Sequence, residues 1–96
     1  MKLAFAEEAK AELRQAFEWY GPGPGRDFLL AIGAAVRKVR EHPLRWPVIR
    51  GEVRRYRTDK YPYGILYKVK PDHIRILAIM HLHRDPEYWV ERDREP

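Results

Sequence analysis

Cysteine is absent from this chain of 96 residues. Without thiols the protein can form no disulfide, no thiolate metal centre and no cysteine nucleophile. An oxidising environment would bring it no benefit, so we expect a protein of the reducing cytoplasm.

Long apolar runs are also absent. The longest uninterrupted runs are Phe28–Ile32 and Ile76–Met80, both far below the roughly 20 residues that a membrane-spanning helix needs. Glu7 and Glu8 stand near the N-terminus, where the core of a secretion signal would be apolar. We therefore expect no membrane insertion and no export.

The length limits the chain to one compact unit, because two smaller units could not bury enough apolar surface. We predict a single domain over residues 1–96. Its expected parts are a helical hairpin with a possible short edge strand (1–43), a sheet (44–84) and a C-terminal segment (85–96).

Positive charge is concentrated in the predicted sheet, residues 44–84. The net charge is +5, and residues 44–84 carry ten basic groups against three acidic ones. Residues 1–43 are nearly balanced, with seven basic and six acidic groups. This excess of basic residues indicates an anionic partner, either nucleic acid or an acidic protein. The alternative is a basic surface that is solvated and binds no partner.

Two helices are predicted in the first part. The first has an apolar stripe at helical spacing, formed by Ala6, Ala9, Leu13, Ala16, Phe17 and Tyr20. The same spacing places Glu12 on the exposed side. Residues 21–25 read Gly-Pro-Gly-Pro-Gly and predict a turn that no helix continues through. The second helix is predicted over Asp27–Glu41, with these side chains inward: Phe28, Leu29, Ile32, Val36 and Val39.

After Pro47 the apolar residues alternate, which predicts three strands over Val48–Arg57, Tyr63–Lys70 and Ile74–His83. In the last strand, alternation places Ile74, Ile76, Ala78 and Met80 on one face and Leu77 and Ile79 on the other, so it is expected to be covered on both sides. The predicted fold class is α+β: an N-terminal two-helix hairpin packed on a curved antiparallel sheet of three to four strands.

Several segments, taken in chain order, carry a family resemblance. They are Phe5–Ala9 with Glu12-Leu13 and Trp19-Tyr20, Phe28-Leu29 with Ile32, His42-Pro43, Trp46-Pro47, Val53–Arg55, Tyr61–Tyr63, Ile74 to Ile79, Arg84–Pro86 and Tyr88-Trp89. Together they resemble the RelE/ParE toxins of bacterial type II toxin-antitoxin systems, the plasmid-stabilisation type.

The resemblance implies a RelE-like fold, growth inhibition and neutralisation by a cognate antitoxin protein. It also implies one of two targets: ParE-like members block DNA gyrase, and RelE-like members cleave mRNA on the ribosome. No metal or small-molecule cofactor is implied. A third possibility is a relic that keeps the fold and the antitoxin but has lost toxicity.

Ribonucleolytic cleavage needs a base for the 2′-hydroxyl, cations for the phosphorane and an acid for the leaving oxygen. By the resemblance, the candidates for this catalytic set are Arg55, His81, His83, Arg84 and Tyr88. The candidates for target binding are Arg54, Arg57, Tyr63, Tyr67 and Trp89. All of this assumes that Arg54, Arg55, Arg57 and Arg84 converge on one exposed patch.

Two departures favour the gyrase inhibitor over the endonuclease. Gly64 stands where ribosome-dependent members carry an arginine, and arginines replace their strand lysines. An arginine stays protonated and is a poor base. Each candidate also has a structural alternative. The strand arginines can be an exposed edge, both histidines and both tyrosines can be structural, Trp89 can pack the C-terminal segment, and Arg84 can pair with Asp85.

Overall fold

The structure is a computed structural model that describes residues 1–94. Its elements follow one another along the chain as strand β1 (Lys2–Phe5), helices α1 (Glu7–Tyr20) and α2 (Pro22–Glu41), strands β2 (Val48–Arg50), β3 (Val53–Arg57), β4 (Tyr63–Val69) and β5 (His73–His81), and a C-terminal 3₁₀ helix (Val90–Arg94). Among these residues no helix is both long and apolar enough to cross a membrane.

The five strands form one sheet in the order β1-β5-β4-β3-β2. β1 runs parallel to β5, and every other neighbouring pair is antiparallel. The predicted α+β class is confirmed, with three corrections to the sheet. The sheet is mixed rather than antiparallel, because β1 runs parallel to β5. It has five strands rather than three or four, and the predicted strand Val48–Arg57 is divided at Gly51, whose φ of 56° turns the chain between β2 and β3.

The junction between the helices is tighter than the sequence predicted. Gly21, with φ of 83°, is the single residue between the helices, and α2 begins at Pro22 rather than at Asp27. The first four N–H groups of a helix have no partner within it, so the prolines of this first turn forfeit no hydrogen bond. The amide of Gly25 donates to the carbonyl of Gly21 at 2.7 Å and closes the turn.

Both helices pack on one side of the sheet, here named the helix side. Its buried residues include Ala9, Phe28, Ile32, Val39, Tyr56, Tyr63, Ile65, Tyr67, Ile74, Ile76 and Ile79. The inward stripe of α2 is confirmed apart from Leu29, which is 37 % exposed. Ala35 is buried instead, because the helix turns its stripe toward Phe28, Ile32 and Val36.

The opposite side of the sheet, here named the outer side, has its own apolar cluster. Val53, Leu66, Leu77 and Met80 are buried there beneath Trp89 of the C-terminal segment. β5 is therefore covered on both sides, as predicted, because its side chains enter both cores.

The predicted alternation along β5 holds through Leu77 and fails from Ala78 onward. The register between β4 and β5 shifts at Leu66 and Tyr67, whose partners are Ala78 and Ile76. Leu77 is the extra residue, as in a β-bulge, and a bulge reverses the facing of everything after it. Ala78 and Met80 consequently join the outer-side cluster, while Ile79 joins the helix-side core.

Candidate target-binding cleft

A carboxylate from α1 joins the C-terminal segment to the body of the protein. Glu12 Oε1 accepts hydrogen bonds from the amide of Ile79 at 3.0 Å and from Arg92 Nη1 at 2.9 Å. Glu12 Oε2 accepts from Arg92 Nη2 at 3.2 Å and from the hydroxyl of Tyr88. Its side chain is only 10 % exposed, so the predicted exposed position of Glu12 was wrong.

These contacts fix the protonation states of the partners. Burial and the hydrogen bond to Glu12 raise the pKa of Tyr88 well above its usual range. Burial opposes the charge of Arg92, but the hydrogen bonds and charge of Glu12 outweigh it and raise the pKa of Arg92. Tyr88 therefore stays a neutral phenol with its proton directed at Glu12.

Beside this carboxylate lies a cleft of about 280 Å³ between α1 and the end of β5. Its lining residues are Glu12, Gln15, Ala16, Trp19, Tyr63, Ile79, His81 and Arg84. Trp19 stands on the rim with 83 % of its surface exposed. The guanidinium of Arg84 lies 3.9 Å from the centre of the Tyr88 ring and 4.0 Å from Glu12 Oε2. We refer to this feature as the Trp19 cleft.

Aromatic rings form one wall of the Trp19 cleft. The rings of Tyr63 and His81 meet edge to face at 5.1 Å, and the ring of the exposed His83 lies 5.2 Å beyond His81. The backbone amide of His83 donates to Nδ1 of His81 at 3.1 Å. Nε2 therefore carries the ring proton when the His81 imidazole is neutral.

The predicted site residues divide between separate locations. His81 and Arg84 line the Trp19 cleft, with His83 and Tyr88 beside it. Arg54 lies on the helix side, where its Nη1 donates to the carbonyls of Leu44 at 3.1 Å and Trp46 at 2.7 Å.

The other two strand arginines are placed differently. Arg55 and Arg57 lie on the outer side and line another hollow. The expected convergence of the arginines on one patch was therefore wrong, because neighbouring residues of a strand point to opposite faces.

Three aromatic candidates are placed as follows. Tyr63 is nearly buried but reaches the Trp19 cleft. Tyr67 is fully buried, donates to the carbonyl of Pro43 at 2.6 Å, and has its pKa raised to about 12 by burial. Trp89 is 1 % exposed and donates to the carbonyl of Pro86 at 2.6 Å. Tyr67 and Trp89 are core residues that no target can touch in this fold, which corrects their expected role.

The chemistry available in the Trp19 cleft is recognition by stacking and charge. Glu12 accepts from four donors and has no oxygen free to take a proton from a substrate. The phenol of Tyr88 is held neutral and donates to Glu12. An exposed indole, imidazole rings and a stacked guanidinium are groups that bind a partner surface.

Three residues of this region were not predicted: Glu12, Trp19 and Arg92. A signal for Glu12 existed, since it follows Ala9 by three residues and precedes Ala16 by four, which places it on the buried stripe. Trp19 continues that spacing, three residues after Ala16, but it lies near the end of α1, where 83 % of its surface is exposed. Arg92 gave no signal, because its partner is 80 residues away in the chain.

A two-helix hairpin on a mixed sheet, with a cationic and aromatic cleft where the last strand ends, defines a small toxin of the RelE/ParE class. The family model described as "ParE toxin of type II toxin-antitoxin system, parDE" matches residues 3–86. The chain therefore belongs to the ParE toxin family, and the predicted resemblance is confirmed.

One solved structure supports the fold independently. It is described as "Chromosomal ParDE TA system from P. aeruginosa" and is similar to this chain with a TM-score of 0.78 and 22% sequence identity. The likeness covers 86% of this chain and 97% of that chain. At this identity it shows a shared fold. The search of curated proteins found no match.

Proposed function

We propose that this ParE-family toxin inhibits growth by binding DNA gyrase and that a cognate antitoxin protein neutralises it in the cytoplasm. The observation that carries the proposal is the separation of the residues a nuclease would need. Arg55 lines a hollow on the outer side of the sheet, while His81 and Arg84 line the Trp19 cleft. A toxin whose cations are divided in this way is better suited to binding than to phosphoryl transfer.

The Trp19 cleft is the surface that we assign to gyrase. Tryptophan, tyrosine and arginine dominate the binding energy of protein interfaces, and Trp19, Tyr63 and Arg84 all line this cleft. The Trp19 side chain is 83 % exposed and therefore contributes little to the stability of the isolated chain. Its apolar surface is therefore available to a partner.

The antitoxin is proposed to cover the helical hairpin. Leu30 is 68 % exposed on α2, and Leu29 beside it is 37 % exposed. An amphipathic segment that folds on binding would bury these side chains. Arg26, Arg37, Lys38 and Arg40 are exposed on the same helix, so an acidic segment is the expected complement.

The test is a growth assay with the chain expressed alone and together with the product of the neighbouring small gene. RNA ends and gyrase-trapped DNA are mapped in the same culture. We expect arrest with accumulating gyrase-linked breaks, relieved by the antitoxin and weakened in Trp19→Ala and Arg84→Ala. Arg14→Ala is the control, because Arg14 is exposed on α1 and outside the cleft.

Other outcomes would select other activities. Codon-phased cuts in translated transcripts that disappear in Arg55→Ala would select the metal-independent mRNA endonuclease. An antitoxin complex of nanomolar affinity without any growth phenotype would select the non-toxic relic. If Trp19→Ala and Arg14→Ala weaken the growth arrest equally, the Trp19 cleft is not part of the target interface.

A further inference from the structure

Arg55 is a half-buried cation without a counter-charge. Within residues 1–94 no carboxylate forms an ion pair with it, and its Nε is buried without a hydrogen-bond partner. Half-buried charges in proteins are normally paired, since removing a charge from water is costly. Lys68, whose side chain is 18 % exposed on the same side, follows that rule by pairing with Asp93.

Gly64 provides the surface on which Arg55 lies. The Cα partner of Gly64 across β3 and β4 is Arg57, and Arg55, two residues earlier on the same face of β3, reaches Gly64 diagonally. A Cβ atom at Gly64 would stand 3.1 Å from Arg55 Cδ and 3.2 Å from its Cγ, with Leu82 Cδ2 at 3.3 Å. The stem of Arg55 therefore runs flat across the glycine, which restricts the directions its guanidinium can take. Such restriction reduces the entropy lost when an anion binds.

Arg55 reaches a hollow of about 390 Å³ at the outer edge of β3. The hollow is lined by Lys38, Trp46, Pro47, Arg55, Tyr56, Arg57 and Asp59, and we name it the β3 groove. β2 pairs with Val53 and Arg54, and the amide of Arg55 donates to the carbonyl of Pro47 at 3.1 Å, so the edge of β3 is uncovered only beyond Arg55.

The β3 groove is strongly cationic. Arg45 adds a fourth cation, because its guanidinium lies 5.2 Å from the centre of the Trp46 ring. Among the described lining residues, Asp59 is the one carboxylate. Lys38, Arg55 and Arg57 form no ion pair within residues 1–94.

We propose that the β3 groove binds the phosphodiester backbone of a nucleic acid. Arginine presents a planar fork of donors that matches a phosphate, and Arg55 and Arg57 stand on the same face of one strand about 7 Å apart. A groove of cations with aromatic side chains in its wall is also how proteins follow a nucleic-acid strand without reading its sequence. Carboxylates pair with the same guanidinium fork, so the partly exposed ring of Trp46, on which a base can stack, is what favours a nucleic acid over an acidic protein segment.

This activity is separate from the proposed gyrase inhibition, because it uses a different surface and needs neither gyrase nor antitoxin. The experiment is fluorescence anisotropy of the purified full chain with a labelled oligothymidylate across a salt series. We expect affinity to fall linearly on a log-log plot as salt rises. Arg55→Ala should weaken binding about tenfold and reduce the salt slope by roughly 0.7.

Two further variants separate the groove from net charge and from folding. Arg26→Ala removes the same charge from an exposed position at the other end of α2 and should leave affinity nearly unchanged. Gly64→Ala keeps every charge but crowds the stem of Arg55, which must shift by a few tenths of an ångström, so it should weaken binding by less than Arg55→Ala does. Circular dichroism checks that each variant is folded.

The outcomes against the proposal are distinct. Equal losses of affinity in Arg26→Ala and Arg55→Ala would show that binding depends on the net charge of the protein and not on the β3 groove. Competition by oligoglutamate as effective as competition by unlabelled oligothymidylate would assign the groove to an acidic protein. In either case the gyrase proposal would stand or fall on its own test.

Discussion

Glu12 occupies a position where a carboxylate without partners would be costly. It is 10 % exposed and accepts hydrogen bonds from a backbone amide, a phenol and a guanidinium. Its partner Arg92 is 13 % exposed, so neither charge retains much contact with water. Such a pair stabilises the fold mainly because breaking one side leaves the other buried and uncompensated.

Replacing this carboxylate tests its role at the level of one residue. Glu12→Gln should lower the free energy of unfolding by about 3 kcal/mol, because Arg92 then stays buried beside a neutral amide. Chemical denaturation measures the loss, and hydrogen exchange should show faster exchange in Val90–Arg94. Glu18→Gln, an exposed substitution on the same helix, is the control. Equal effects of the two variants would contradict the role of Glu12.

Tyr67 predicts how stability responds to alkaline pH. Burial raises its pKa from 10.0 to about 12, so the folded state keeps the proton that the unfolded state releases. Its contribution is complete below pH 10 and is lost as the pH rises toward 12. Tyr67→Phe should cost about 1 kcal/mol at neutral pH through the lost hydrogen bond to Pro43.

The matching measurement is urea unfolding at several pH values across that interval. Tyr67→Phe should lose stability less steeply than the parent protein, because one phenol with a raised pKa is gone. Parallel curves for the two proteins would show that the Tyr67 phenol does not titrate differently in the folded state.

At the scale of the element, the hairpin depends on close contact at one glycine. A Cβ atom at Gly25 would stand 2.7 Å from the carbonyl oxygen of Phe17, and that atom belongs to the backbone of α1 and cannot move aside cheaply. At Gly23 a Cβ would meet no atom within 4 Å. The two glycines lie near the start of α2 and differ in what faces them, and Gly23 in addition precedes Pro24.

This contrast gives a prediction about two neighbouring substitutions. Gly25→Ala should destabilise the protein by about 1 to 3 kcal/mol through overpacking. Gly23→Ala should change stability by less than about 1 kcal/mol, because the entropy gained by replacing glycine is opposed by the contact of the new Cβ with Pro24. Thermal unfolding of both variants measures the difference. A loss at Gly23 as large as the loss at Gly25 would show that the contact with Phe17 is not what requires glycine.

Periodic elements were predictable and their interruptions were not. The helices followed from the stripe that includes Ala9, Leu13 and Ala16, and the last two strands from alternation. The bulge at Leu77 could not be read, since its cause is the register with β4 rather than local sequence. The early start of α2 was missed because Pro and Gly were taken as breakers, although a first turn tolerates both.

The candidate site was predicted less completely, for the same reason. His81, His83 and Arg84 were placed together because they are close in sequence. Glu12 and Arg92 were not, because their ion pair joins opposite ends of the chain. The opposite facings of Arg54 and Arg55 follow from strand alternation alone, and the expectation of a single patch overlooked it.

At the scale of the whole molecule, two cores share one sheet. The helices cover the helix side, and the outer side is closed by a C-terminal segment too short to form a layer of its own. Trp89 closes it by burying nearly all of its surface over Val53, Leu66 and Met80. The fold therefore needs both ends of the chain, since α1 supplies Glu12 and the C-terminal segment supplies Arg92 and Trp89.

Two tryptophans then separate stability from binding. Trp89→Ala should lower the free energy of unfolding by about 3 to 5 kcal/mol, because it opens a cavity that β3 and β4 cannot fill. Trp19→Ala removes the same side chain from a site 83 % exposed and should change stability by no more than about 0.5 kcal/mol. Denaturant titration measures both free energies of unfolding.

The growth assay measures the toxicity of the same two variants. Trp19→Ala should stay folded and lose toxicity, whereas Trp89→Ala should lose toxicity only in proportion to its unfolded fraction. A toxic Trp19→Ala variant would exclude the exposed indole from the target interface, and a fully stable Trp89→Ala variant would mean that the outer side does not depend on the C-terminal segment.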